Sequence, residues 1–95
     1  MIYVDDYKGK FRNMIMCHML ADSLEELHEF AQKLGMKREW FQDGSAPHYD
    51  LSKERRALAL KLGAIEVPIY VNDRPNPEWK RIYCMAKKLK EHKND

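Results

Sequence analysis

The sequence has few cysteines, no long apolar run and no large excess of charge of one sign. Cys17 and Cys84 are far apart and lack the paired spacing of a zinc site, and a disulfide framework would need more cysteines. We therefore expect free thiols and a cytoplasmic protein. No apolar run approaches the roughly 18 residues that cross a membrane, so we expect no membrane partner.

The balance of charge does not favour nucleic acid as a partner, because the net charge is only +2. The charge is uneven, with a net −3 over residues 1–52 and a net +5 over residues 53–95. The basic half either faces a phosphate or ends in a solvated helix, where cations suit the helix dipole. The solvated helix end would consist of Lys87, Lys88, Lys90 and Lys93.

Familiar catalytic and phosphate-binding motifs are absent as well. The sequence contains no glycine-rich phosphate loop, no G-x-S-x-G, no H-E-x-x-H and no helix-turn-helix pattern. Any site must therefore come from residues that the fold brings together.

Strand-like and helix-like segments alternate along the chain. Ser23 and Glu26 form a capping box that opens a helix, and Gly35 ends it. The predicted strands are Ile2–Val4, Met14–Met19, Met36–Phe41 and Ala64–Val71, and the predicted loops are Tyr7–Asn13 and Gln42–Asp50. Further helices are predicted over Lys53–Leu62 and from Pro77 to about Glu91. The pattern predicts one α/β domain over residues 1–95, with a mostly parallel β-α-β-α-β core and a C-terminal helix.

A parallel sheet would gather polar residues at one rim, beyond the carboxyl ends of its strands. The helix N-termini at Ser23 and Ser52 would open onto that rim as anion sites. The other expected ligand-binding residues are Asp5, Asp6, Trp40, Tyr49, Arg55 and Arg56.

His18, His48 and Asp50 are the candidate catalytic residues. In an extended segment, His48 and Asp50 share one face, as a base with its orienting carboxylate or as two ligands of one metal. A divalent cation at Asp5, His48 and Asp50 is one possible cofactor. The structural alternatives are a helix cap for Asp50, a solvent-facing His48 and a satisfied buried imidazole for His18.

Several segments resemble a family of bacterial and bacteriophage proteins. They include Tyr3-Val4-Asp5-Asp6, Cys17-His18-Met19-Leu20-Ala21-Asp22, Glu26-Leu27-His28, Trp40-Phe41-Gln42 and His48-Tyr49-Asp50. The family is the one catalogued as domain of unknown function 4031. The resemblance covers roughly residues 1–71 and leaves 72–95 as a variable C-terminal helix and tail. It implies a small cytoplasmic protein, located in the host cytoplasm if a phage encodes it, and it transfers no activity.

The sequence leads to three functional hypotheses. The first is a hydrolase that cleaves a phosphodiester in a small phosphate-bearing molecule, such as a nucleotide or cyclic nucleotide signal. In it His18 and His48 act as acid and base, and Arg55 or Arg56 binds phosphate. The second is a protein that sequesters a nucleotide-like ligand, stacked on Trp40 or Tyr49, with a homo-oligomer completing the pocket. The third is an interaction or inhibitor module that uses the basic C-terminal helix.

Overall fold

A computed structural model describes residues 1–11 and 14–93. The strands are β1 Ile2–Val4, β2 Gly9–Phe11, β3 Met14–Ala21, β4 Gln42–Asp43, β5 Pro47–Ser52, β6 Ile65–Glu66, β7 Tyr70–Val71 and β8 Arg74–Pro75. The helices are α1 Leu24–Lys33, α2 Lys53–Lys61 and α3 Pro77–Lys93, with a 3₁₀ turn at Arg38–Trp40. The protein is thus α/β, as the sequence predicts.

The main sheet is mostly antiparallel, so the prediction of mostly parallel strands is wrong. Its strands lie in the order β4-β5-β3-β1-β6, and β2 pairs with the first part of β3. β3 is antiparallel to β1, β2 and β5, and β4 is antiparallel to β5. Only β1 and β6 pair in parallel within the described part of the chain.

A hairpin between β4 and β5 explains the error after α1, whereas β1 and β2 are antiparallel to β3 before it. The helices α1 and α2 do connect strands that run in the same direction, β3 with β4 and β5 with β6. Between them the chain reverses over residues 44–46, which places β5 between β4 and β3. Gly44 and Pro47 are turn formers of a predicted loop, but here Gly44 lies in a hairpin turn and Pro47 begins the strand that follows it.

Three segments differ from the predicted elements for local reasons. Met36–Phe41 forms no strand, because the chain makes a 3₁₀ turn at Arg38–Trp40. Gln42–Asp50 is mostly strand, and the predicted loop Tyr7–Asn13 contains β2, while Arg12 and Asn13 lie outside the described residues. Ala64–Val71 divides into β6 and β7, separated by the segment around Pro68, which has no N–H for a sheet.

The predicted helix starts are confirmed. The Ser23 hydroxyl accepts a hydrogen bond from the Glu26 N–H at 3.2 Å, and the Ser52 hydroxyl accepts one from Arg55 at 3.3 Å. Asn76 caps α3 through the Glu78 N–H at 3.1 Å. The side chains of Lys90 and Lys93, on which the basic-helix hypothesis partly depends, lie outside the described residues.

Two cores cover opposite faces of the sheet. On one face α1 and α2 pack against alternate residues of β3 and β5, such as Cys17, Met19 and Leu51. On the other face α3 packs through Ile82 and Ala86 against Leu20 and its neighbours. No helix in the described part of the chain is long and apolar enough to cross a membrane.

The two cysteines are free, as predicted, and they differ in exposure. Burial raises the pKa of Cys17 to about 11, whereas Cys84 is exposed on α3. Since the thiolate is the reactive form, we expect a disulfide reagent to modify Cys84 alone in the native protein and both thiols in urea. A Cys84→Ser variant should then be inert until it unfolds. Rapid native reaction of that variant would contradict the burial of Cys17.

Candidate functional site

The antiparallel pairing of β3 and β5 brings the candidate catalytic residues together on one face of the sheet. His18 lies directly opposite Asp50 in the register of these two strands. Because side chains alternate along a strand, His48 and Asp50 lie on the same face of β5, as predicted, and Tyr49 lies on the other. The candidate site therefore lies on the face that α3 partly covers, and not at a rim of parallel strand ends.

Asp5 follows β1 and holds His18 in place. Its side chain is almost fully buried, and its Oδ2 lies 2.8 Å from Nδ1 of His18. Its Oδ1 accepts backbone hydrogen bonds from His18 at 2.9 Å and from Tyr7 at 3.1 Å, and Trp79 Nε1 donates to Oδ2 at 3.4 Å. Burial alone would raise the pKa of Asp5, but these bonds with His18 outweigh it, and the net pKa is lowered.

The backbone fixes the orientation of His48 through its Nδ1 nitrogen. Nδ1 lies 2.7 Å from the carbonyl oxygen of Ala46, so that Nδ1 donates a hydrogen bond to the backbone and Nε2 faces Asp50. Nε2 lies 3.4 Å from Oδ1 of Asp50. Burial lowers the pKa of His48, but Asp50 and the Ala46 carbonyl outweigh burial and the net pKa is raised.

Asp50 is bound from two sides. The amide of Gln42 on β4 donates to its Oδ2, while its Oδ1 faces His48. The contact with His48 lowers the pKa of Asp50, and although burial acts in the opposite direction, the bond from Gln42 adds to the lowering. Asp50 is thus an anion at neutral pH.

The three side chains converge on one point. One ligand atom from each of His18, His48 and Asp50 lies within 4.8 Å of the other two. The two imidazole rings meet edge to face with their centroids 5.1 Å apart, and Tyr7 stacks on His18 at 4.7 Å. Such a cluster can bind a cation or activate a single water molecule.

An open cleft of about 450 Å³ adjoins the two histidines. Most of its large side chains are aromatic: Tyr7, Tyr70, Trp79 and Tyr83. Trp79 and Tyr83 stack on each other with centroids 5.2 Å apart, and Tyr83 hydrogen bonds with Ser45 of the hairpin turn. Among the described residues that line the cleft, none is a lysine or an arginine.

A second depression of about 460 Å³ lies beyond Asp50. It is lined by Asp50, Gln42, Trp40, Ser52 and Arg55, together with Met16 and Met36. The Arg55 guanidinium lies 5.3 Å from the centre of the Trp40 ring, and its Nε donates to a backbone carbonyl at 3.3 Å. The ion pair of His48 with Asp50 lies between the two depressions, because His48 lines the first and Asp50 the second.

Four of the expected ligand-binding residues have other roles. Arg56 donates from Nε to the Asp5 carbonyl at 3.0 Å and pairs with Glu66, so it does not join Arg55. Tyr49 is 1% exposed and cannot stack a base, because it lies in the core. Two further residues bind backbone N–H groups: Ser23 caps α1, and Asp6 accepts from Ile69 at 2.9 Å.

The aromatic residues of the cleft were missed by sequence reasoning. Trp79 and Tyr83 lie in the segment that was interpreted as a variable tail, and Tyr70 follows the proline that interrupts its strand. Their spacing offered one signal, because Trp79 and Tyr83 are four residues apart and therefore share a face of α3. No sequence pattern pointed to Ser45 of the hairpin turn.

The fold and the site define a small mixed α/β domain that carries a histidine–aspartate cluster on an open face of its sheet. The chain belongs to the family described as Protein of unknown function (DUF4031), which matches residues 2–84 of 95. The match extends beyond residue 71 and takes in Trp79 and Tyr83. No curated protein and no solved structure is significantly similar to the chain.

Proposed function

We propose that the protein is a hydrolase that cleaves a phosphodiester bond in a small phosphate-bearing molecule of the nucleotide or cyclic nucleotide class. The observation that carries this proposal is the convergence of His18, His48 and Asp50 beside an aromatic cleft. Imidazole and carboxylate groups that meet at one point are the usual means of activating water.

The cleft suits a nucleoside in size and chemistry. Its volume of about 450 Å³ falls within the range of small-molecule sites. Trp79, Tyr83, Tyr70 and Tyr7 offer flat faces for a base, and stacking on one aromatic side chain contributes about 1–3 kcal/mol per base. The histidines lie beside these aromatic residues, so a base bound there places its phosphate close to the cluster.

The reaction adds one water across the phosphodiester. The water oxygen bonds to phosphorus, the bond from phosphorus to one ester oxygen breaks, and that oxygen leaves with a proton. His18, His48 and Asp50 act on the attacking water together. In acid–base cleavage the base contacts the attacking oxygen and the acid contacts the leaving oxygen, at about 3 Å each and on opposite sides of phosphorus. The ligand atoms of His18, His48 and Asp50 lie within 4.8 Å of one another, which places them on one side. The separate acid and base roles expected from the sequence therefore fit the geometry less well.

Arg55 offers a guanidinium group to a phosphate. It lines the depression beyond Asp50, and a substrate that extends from the aromatic cleft across Asp50 reaches it. Ser52 and Trp40 line the same depression. A molecule with two nucleotide units, or a nucleotide with several phosphates, would use both depressions.

Incubation with a panel of nucleotides, cyclic mononucleotides and cyclic dinucleotides, followed by mass spectrometry, tests the proposal. We expect one class to yield a product heavier than its substrate by one water, or two products that sum to that mass. An Asp50→Asn variant should leave the substrate intact, and a His28→Gln variant, altered on the opposite face, should not. Recovery of an intact ligand on heating would instead support sequestration, and no cleavage of any panel member would contradict the proposal.

A further inference from the structure

We infer that His18, His48 and Asp50 bind one divalent transition-metal ion of the zinc type. The ion is assigned as the cofactor of the proposed hydrolase, and that part of the inference rests on the proposed function. The binding of the ion rests on the geometry of the three side chains alone. The set differs from the one expected from the sequence, because His18 takes the place of Asp5 as a ligand.

Both histidines are oriented as metal ligands usually are. A histidine that ligates through one ring nitrogen almost always donates from the other to a carboxylate or a backbone carbonyl. Nδ1 of His18 is bound to the buried carboxylate of Asp5 at 2.8 Å, and Nδ1 of His48 to the carbonyl of Ala46 at 2.7 Å. In each ring Nε2 is therefore the nitrogen that remains for a ligand.

Asp50 is oriented in the same manner. Its Oδ2 accepts from the amide of Gln42, and its Oδ1 remains on the side of His48. Each of the three ligand side chains thus has one polar atom facing the proposed ion and a second one bound to a neighbouring group, namely Asp5, the Ala46 carbonyl or Gln42. Outer groups of this kind set the direction of a ligand and its basicity.

The spacing of two ligands already matches a tetrahedral site. Bonds of about 2.0–2.1 Å to zinc place neighbouring ligand atoms about 3.3 Å apart. His48 Nε2 and Asp50 Oδ1 are 3.4 Å apart, whereas a charge-assisted hydrogen bond would draw them to about 2.7–2.9 Å. A ring nitrogen of His18 lies within 4.8 Å of the other two ligand atoms, so the three side chains already converge on one position.

The charges around the cleft favour a bound cation. Asp5 and Asp50 place two carboxylates at the site, and among the described residues that line the aromatic cleft none is a lysine or an arginine. An anionic substrate in that cleft would be repelled by these carboxylates, which the imidazole of His48 and, in the second depression, Arg55 offset in part. A divalent ion balances them and supplies the positive charge that a phosphate oxygen needs.

The ligand types select the class of ion. Two imidazoles and one carboxylate suit zinc and its transition-metal neighbours, whereas calcium and magnesium prefer oxygen ligands. Three protein ligands leave the fourth position open to water, as in catalytic zinc sites. A metal held in such a site would lower the pKa of its bound water to about 7.

Metal titration of the full chain tests the inference. The chelator-stripped protein is titrated with Zn²⁺ by calorimetry and with Co²⁺ by visible absorption, where ligand-field bands report the coordination. We expect one ion per chain and its loss in His48→Ala and Asp50→Ala. Gln42→Ala, which removes only an outer group on the edge strand, should weaken binding about 10–100-fold. His28→Gln and Cys84→Ser are the matched controls, and they should bind as the native chain does.

The outcomes separate the metal from the proposed reaction. Stoichiometric Zn²⁺ binding that survives the His48 and Asp50 substitutions, or no binding by the folded native chain, would overturn the metal site. Circular dichroism shows whether each variant is folded. If His48→Ala and Asp50→Ala do not fold, the weaker binding expected of Gln42→Ala still tests the site. Zn²⁺ binding without cleavage of any nucleotide leaves the site and removes the proposed function. Undiminished cleavage by the chelator-stripped chain would keep the proposed function and remove the metal as its cofactor.

Discussion

Replacing Asp5 with alanine is expected to destabilise the protein by about 3–5 kcal/mol, the cost of removing one partner from a buried charged network. Asp5 is 3% exposed and accepts hydrogen bonds from two backbone N–H groups, one indole and one imidazole. Its removal leaves donors of His18, Tyr7 and Trp79 without this buried partner. In a domain of this size the Tm should fall by more than about 10 °C. Urea unfolding followed by circular dichroism measures the change.

The neighbouring residue provides the control for Asp5. Asp6 is exposed and accepts one hydrogen bond, from the Ile69 N–H at 2.9 Å. Asp6→Ala should therefore cost only about 1 kcal/mol, the usual net value of one hydrogen bond. Equal losses of stability for the two variants would show that Asp5 does not hold the end of β1 to β3, and that the assigned hydrogen bonds are wrong.

Local patterns predicted the helices well because their signals lie within a few residues of one another. Ser23 and Ser52 cap helices as the sequence indicates, since a cap depends on a hydroxyl and an N–H three residues apart. The strand order depends instead on the turn at residues 44–46, where Gly44 and the Pro47 that follows the turn fit a loop and a hairpin equally well. That hairpin makes β5 antiparallel to β3 and β4, and β1 and β2 are antiparallel to β3 as well, so the prediction of parallel strands failed on both sides of β3.

The central residues of the candidate site were nevertheless found from the sequence. His48 and Asp50 alternate with the apolar residues Tyr49 and Leu51, so they share a face in any extended segment. Their contact with His18 could not be predicted, because it depends on the register between β3 and β5. The partners of Arg56 and the burial of Tyr49 are likewise set by packing and not by sequence neighbours.

Replacing His48 with alanine is expected to lower kcat/KM for the cleaved nucleotide by on the order of 10²–10⁴-fold, the range for losing a positioned acid or base. His48 brings its Nε2 to the cluster, and no other side chain on β5 can take that place, since Asp50 is the neighbour on the same face. The effect on stability should be small. Its side chain is 18% exposed and makes one hydrogen bond, to the Ala46 carbonyl, and one ion pair, with Asp50, so about 1–2 kcal/mol is lost.

Leu27→Ala is the opposite control for His48→Ala. Leu27 is fully buried between α1 and the sheet, and its truncation should destabilise the protein by about 2–5 kcal/mol. The fraction of that variant that stays folded should retain full kcat/KM, because Leu27 lies on the face away from the cleft. Stability by urea unfolding and activity by initial rates thus separate the two substitutions. If His48→Ala loses activity only in proportion to its unfolding, the segment His48–Asp50 is structural and the assigned site is wrong.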